Sequence, residues 1–150
     1  MAGFRFAIVV SRFNEEITEG LLRGAREYFA EASIPAEAVT VFRVPGAFEI
    51  PMMAQRLGEN GDYDAIVCLG CLIKGDTMHF EYIAEAAAHG IQQAASATGV
   101  PIAFGVLTTL TEEQAMERSR AGADNKGREA AAAAVEMAKL FRTLDEAIGG

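Results

Sequence analysis

The chain has 150 residues, 51% of them hydrophobic, with a formal net charge of −8. This is enough chain for one packed domain and too apolar for disorder, and no linker, repeat or second domain divides residues 1–150. The acidic balance argues against a nucleic-acid or anionic-membrane partner; no signal-type segment is present and FAIVV is too short to span a bilayer, so a cytoplasmic protein is expected.

In chain order, FRFAIVV (4–10) reads as a strand. Asn14 can cap a helix with Glu15 and Glu16 in its first turn, and Ile17, Leu21, Ala25 and Phe29 form its apolar stripe. VTVFRV (39–44) is a second strand, followed by a short helix over 47–57 and a GENGD turn. YDAIVCLG (63–70) is the third strand, and a helix is predicted over 77–97. VPIAFGVLT (100–108) is the fourth strand. Thr111 caps a short helix, and a long alanine-rich helix runs from about residue 125 to the end.

Strands alternating with helices predict an α/β fold with a parallel sheet. The strands are continuous apolar runs, as expected when helices cover both faces. A flavodoxin-like three-layer α/β/α sandwich with a four-stranded parallel sheet is the leading topology.

Cys68 and Cys71 are spaced C-x-x-C, as in redox pairs and half zinc sites. Cys68 lies inside an apolar strand, though, and no second cysteine pair exists to complete a zinc site. Both are read as small buried hydrophobes in a reducing compartment.

Ligands of parallel sheets sit outside the carboxyl ends of the strands. There the sequence places SRFNEE, VPGAFEIP and GCLIKGDTMHF, and the fourth strand carries Phe104 before LTTLT. Phe13 is either a hydrophobic staple onto Ile17, which its spacing favours, or a ring for stacking a planar heterocycle. Glu49 interrupts an apolar run, so it either faces solvent or accepts from a hydroxylated ligand. Gly75 frees the backbone, Asp76 or Thr77 can cap the next helix, and the helix start is a natural phosphate seat. His79 in the first turn would be held neutral by the helix dipole, as a general base requires; otherwise it donates to a nearby carbonyl. Arg118, Arg120, Lys126 and Arg128 gather within eleven residues. They form either a solvated run paired with Glu117 and Glu129 or an anion pocket.

The motifs SRFN (11–14), VPGAFEIP (44–51), LG-x-L-I-K-G-D-T-x-H-F (69–80), AFGVLTT (103–109), EQAMER (113–118) and NKG (125–127), in this order, resemble the 6,7-dimethyl-8-ribityllumazine synthase family over nearly the whole chain. The resemblance implies a transferase of riboflavin biosynthesis. Such an enzyme condenses 5-amino-6-ribitylamino-uracil with 3,4-dihydroxy-2-butanone 4-phosphate to give the lumazine, phosphate and water, without metal or organic cofactor. It further implies that Phe13 stacks on the pyrimidine. Ala47, Phe48 and Glu49 would hold the ribityl chain, and Leu72 and Ile73 would touch the ring through backbone and side chain. Asp76, Thr77 and Arg118 would take the phosphate, and His79 would shuttle protons. Phe104 would line the pocket, with Lys126 near its phosphate end.

In this family the pocket lies between subunits, which implies a homo-oligomer, a pentamer at least, with a 60-subunit shell in some members and riboflavin synthase as a further partner. Three departures stand out. The chain starts almost at its first strand, whereas many members carry a preceding segment that pairs with a neighbour's sheet. SRAGAD (119–124) replaces an AGTKAG-like run and removes one basic residue before Asn125. Lys74 stands where arginine is common. The alternatives are a non-catalytic flavin- or lumazine-binding module, a shell-forming protein, and an electron carrier sharing only the fold class.

Overall fold

All six residues of β1 (Phe6–Ser11) are buried, as expected when both faces of a strand are covered and both edges paired. The computed structural model describes residues 3–149 apart from Thr77. In it β1 pairs in parallel with β2 (Val39–Val44) on one side and β3 (Ala65–Ile73) on the other. β3 then pairs with β4 (Ile102–Thr109), giving the order β2-β1-β3-β4. This is the expected flavodoxin-like sheet.

Alternation along the strands divides the core in two. Phe6, Ile8 and Val10 face α1 (Glu15–Glu31) and α5 (Lys126–Gly149). Ala7 and Val9 face α2 (Ile50–Asn60) and α3 (Phe80–Thr98). Each fully buried Ile, Val, Leu or Phe contributes about 1.5–3 kcal/mol of transfer free energy. α1 and α5 approach so closely that a Cβ on Gly127 would overlap the Leu21 carbonyl. The alanines of α5 serve the same end: Ala130, Ala131, Ala134 and Ala138 are buried against the sheet.

Several boundaries differ from expectation, for physical reasons. Residues 47–49 form a separate 3-10 turn, Ala47–Glu49, before α2, with Pro51 in the first turn of α2. β3 runs on through Gly70 to Ile73 because its last residues pair with β4, Leu72 with Thr108 and Ile73 with Thr109. α3 begins at Phe80; a turn closed by the Asp76 N–H on the Ile73 carbonyl at 3.1 Å, with Gly75 at φ 103°, leads away from β3, and the expected start at Thr77 lies outside the described residues. Asn14 occupies the position before α1 in a left-handed conformation and makes no capping bond. Its amide instead donates to the Cys71 carbonyl at 3.0 Å, tying the exit of β1 to β3. Thr111 does cap α4 (Glu112–Glu117), accepting from the Gln114 N–H at 3.1 Å.

Candidate functional site

The connections from β1 go one way along the sheet and those from β3 the other, so the carboxyl ends of these two strands open a crevice. Backbone bonds join the segments that line it. Arg12 and Phe13 N–H donate to the carbonyls of Val44 (2.8 Å) and Pro45 (3.0 Å). The Lys74 N–H donates to Thr109 at 2.8 Å, fixing the start of the loop that carries Asp76 and His79.

Phe13 is 51% and Phe48 62% exposed. A ring clamped as a staple would be covered, so the staple expectation for Phe13 is not met. Its expected partner, Ile17, is buried in the core with α1 and α5. Ala47 is buried, whereas Glu49 is half-buried at the end of the 3-10 turn. Leu72 and Ile73 turn their side chains into the two opposite cores, so their backbone is what the strand end presents.

Asp76 is exposed and does not cap α3, from which it is separated by three residues. Thr77 lies outside the described residues. His79 occupies the position before α3 rather than its first turn, and its carbonyl accepts the Ile83 N–H at 2.9 Å. Its imidazole is exposed and lies 6.4 Å, centroid to centroid, from the ring of Tyr82.

The remaining residues form a second cluster. Phe104, Arg118 and Lys126 line a groove of about 570 Å³ along the outer edge of β4, between that strand and the entry to α5. None of Phe13, Ala47, Phe48, Glu49, Asp76 or His79 lines it. Arg120 does, together with Glu117, Asp124 and Glu129. Lys126 pairs with Glu129 at 3.1 Å. Arg128, grouped with these cations in the sequence, is drawn away to a bidentate pair with Glu31 at 2.6 and 2.7 Å and stands over the Tyr28 ring. The partner pairing expected for the basic run thus holds for Lys126, while Arg128 leaves the groove.

A residue that spacing did not single out holds the groove together. Asn125 is 1% exposed and its amide donates to the carbonyls of Ser119 (2.9 Å), Gly20 and Arg120 (both 3.1 Å). Its oxygen accepts the Arg128 N–H at 3.0 Å, capping α5. The one available signal was an asparagine at a helix start.

Both cysteines are buried. Burial, with the Asp76 charge adding to it, pushes the Cys71 thiol up to about 12, and burial alone holds Cys68 well above its ordinary value. Neither fits a redox pair, which needs an accessible thiolate. Among the described residues no three His, Cys, Asp or Glu side chains gather in a metal-holding group, and no helix is long and apolar enough to cross a membrane.

The comparisons with known proteins agree with one another. The family profile described as 6,7-dimethyl-8-ribityllumazine synthase matches residues 3–142. A Caulobacter vibrioides protein named 6,7-dimethyl-8-ribityllumazine synthase 1 is 49% identical over 142 residues, covering 95% of this chain and 93% of its own. A Salinibacter ruber protein named 6,7-dimethyl-8-ribityllumazine synthase is 49% identical over 143 residues, covering 95% and 92%.

Proposed function

The chain belongs to the 6,7-dimethyl-8-ribityllumazine synthase family, and on that premise we propose that its two separate polar clusters are complementary halves of one active site, joined when two copies meet. The reaction is that of the family: condensation of 5-amino-6-ribitylamino-uracil with 3,4-dihydroxy-2-butanone 4-phosphate, a transferase step of riboflavin biosynthesis. The observation that carries the proposal is the division itself. Phe13, Phe48, Glu49 and His79 follow the carboxyl ends of β1, β2 and β3, yet two arginines and a lysine lie along the edge strand β4 in another groove.

In this reading Phe13 stacks on the pyrimidine, an exposed flat ring beside a polar rim. The backbone of Ala47 and Phe48 and the Glu49 carboxylate hold the ribityl hydroxyls. The strand end at Leu72 and Ile73 contacts the ring edge through its backbone. Asp76, Thr77 and the N–H groups at the start of α3 take the phosphate, since a helix start favours an anion. Arg118 and Lys126 of the neighbouring copy complete the phosphate end, and Phe104 covers the pocket. His79 moves protons as the uracil amine adds to the ketone, as water leaves to form the imine, and as phosphate is eliminated. Most of this catalysis is positioning of two bound reactants.

A head-to-tail contact that joins unlike surfaces forms a ring where its rotation closes and a filament where it does not. We assign the ring as a homopentamer in the cytoplasm, with riboflavin synthase as the partner that takes up the lumazine. The second groove along β4 supports a covered edge: about 570 Å³, lined by Ile102, Phe104, Ala133, Met137 and Phe141 among others, it is largely apolar, and such surface is normally buried by a partner.

The test is to mix the protein with the two substrates and follow the fluorescent lumazine against an enzyme-free control. Acceleration that is lost in His79→Ala supports the reading. No acceleration with tight riboflavin binding retained would make the protein a binding module.

A further inference from the structure

We propose that Arg120 is a second phosphate-binding arginine, a specificity-determining residue for the phosphorylated substrate. This rests on the reading of the β4 groove as the phosphate end. Six charged side chains line that groove: Arg118, Arg120 and Lys126 against Glu117, Asp124 and Glu129. The Lys126–Glu129 pair at 3.1 Å offsets one charge of each sign. Among the described residues neither Arg118 nor Arg120 makes an ion pair, so two guanidinium groups stay available to an incoming anion.

Their placement is built. Ser119 is buried between them while both arginines are exposed, so the alternation turns the two arginines outward together. The backbone on each side is pinned to the start of α5. The Arg118 carbonyl accepts the Lys126 N–H at 2.8 Å, and the Arg120 carbonyl accepts from Asn125 at 3.1 Å. A phosphate monoester presents three terminal oxygens. One guanidinium fork engages two, and a second arginine takes the third with charge-assisted geometry that a lysine point charge does not reproduce. Arg120 thereby adds a second guanidinium beside Arg118 in the groove.

The experiment is steady-state kinetics on the assembled enzyme with Arg120→Ala, Arg120→Lys and Arg118→Ala, varying each substrate and using inorganic phosphate as inhibitor. Arg120→Ala should raise both the KM for the butanone phosphate and the inhibition constant of inorganic phosphate about tenfold, the loss of one exposed charge-assisted contact. The KM for the ribitylamino-uracil should stay as it was, and Arg120→Lys should recover part of the loss. If Arg120→Ala leaves both phosphate constants unchanged while Arg118→Ala raises them, the assignment of Arg120 is wrong and the groove reading survives. If neither variant moves them, the groove is not the phosphate end and both fail. Because Arg120 is exposed, its variants should keep the wild-type assembly size; a variant that does not is replaced by Arg120→Gln, for which the same phosphate constants must rise.

Discussion

Replacing Asn125 by alanine should destabilise the fold by about 3 kcal/mol. The amide has two N–H donors and faces three carbonyls, those of Ser119, Gly20 and Arg120. Alanine therefore removes about two net hydrogen bonds at about 1 kcal/mol each. It also removes the cap on the Arg128 N–H, another loss of about 1 kcal/mol. At this chain length that corresponds to a drop in Tm of about 6–12 °C. The assay is thermal and urea unfolding at fixed protein concentration, because assembly is linked to stability. Asn125→Asp sharpens the test. It keeps the capping oxygen but sets a second oxygen against three carbonyls in a site 1% exposed, so it should be worse than alanine. An alanine variant losing less than about 1 kcal/mol, or an aspartate variant as stable as wild type, would refute the reasoning.

Other expectations follow from the same geometry. His79→Ala should lower kcat about a hundredfold or more while leaving riboflavin binding nearly intact, since proton transfer acts on the chemical step. Arg118→Ala should weaken use of the butanone phosphate, read as a raised KM for that substrate alone. Glu129→Gln should lower that KM by releasing the Lys126 ammonium from its 3.1 Å pair. The raised thiol values make the folded chain bind protons longer than the unfolded one. Their contribution to stability is whole below the ordinary thiol value of 9.0 and is lost as pH rises from there toward about 12. The native protein should accordingly resist a thiol reagent at pH 8 and react at two sites once unfolded.

The fold was legible because the central strands β1 and β3 are nearly continuous apolar runs, as burial on both faces favours, while the edge strands β2 and β4 are only partly buried. What misled was local chemistry overridden by tertiary contacts. Asn14 carries a good capping side chain, yet it spends its amide on the Cys71 carbonyl. Phe13 has staple spacing and is nevertheless half exposed. Asp76 reads as a cap for α3, yet its N–H closes a turn onto the Ile73 carbonyl and α3 starts at Phe80. For the site, the sequence pointed to the carboxyl ends of the strands but could not divide the residues found there into two clusters. Phe104 lies mid-strand at a sheet edge, and only strand order reveals that it faces away from the β1–β3 crevice. The role of Asn125 was equally hidden, since two of its acceptors lie in the loop just before it and the third, Gly20, lies on α1.

The claim that matters most is that one active site takes residues from two copies. Two impaired variants, His79→Ala and Arg118→Ala, should be unfolded together, mixed in equal amounts, reassembled, and assayed for lumazine formation at a butanone phosphate concentration well below the raised KM of Arg118→Ala. If the halves come from neighbouring copies, random mixing leaves about one interface in four with an intact histidine half facing an intact arginine half, and about a quarter of wild-type activity returns. If His79 and Arg118 serve the same site within one chain, every site carries one lesion and the mixture stays as inactive as its parents.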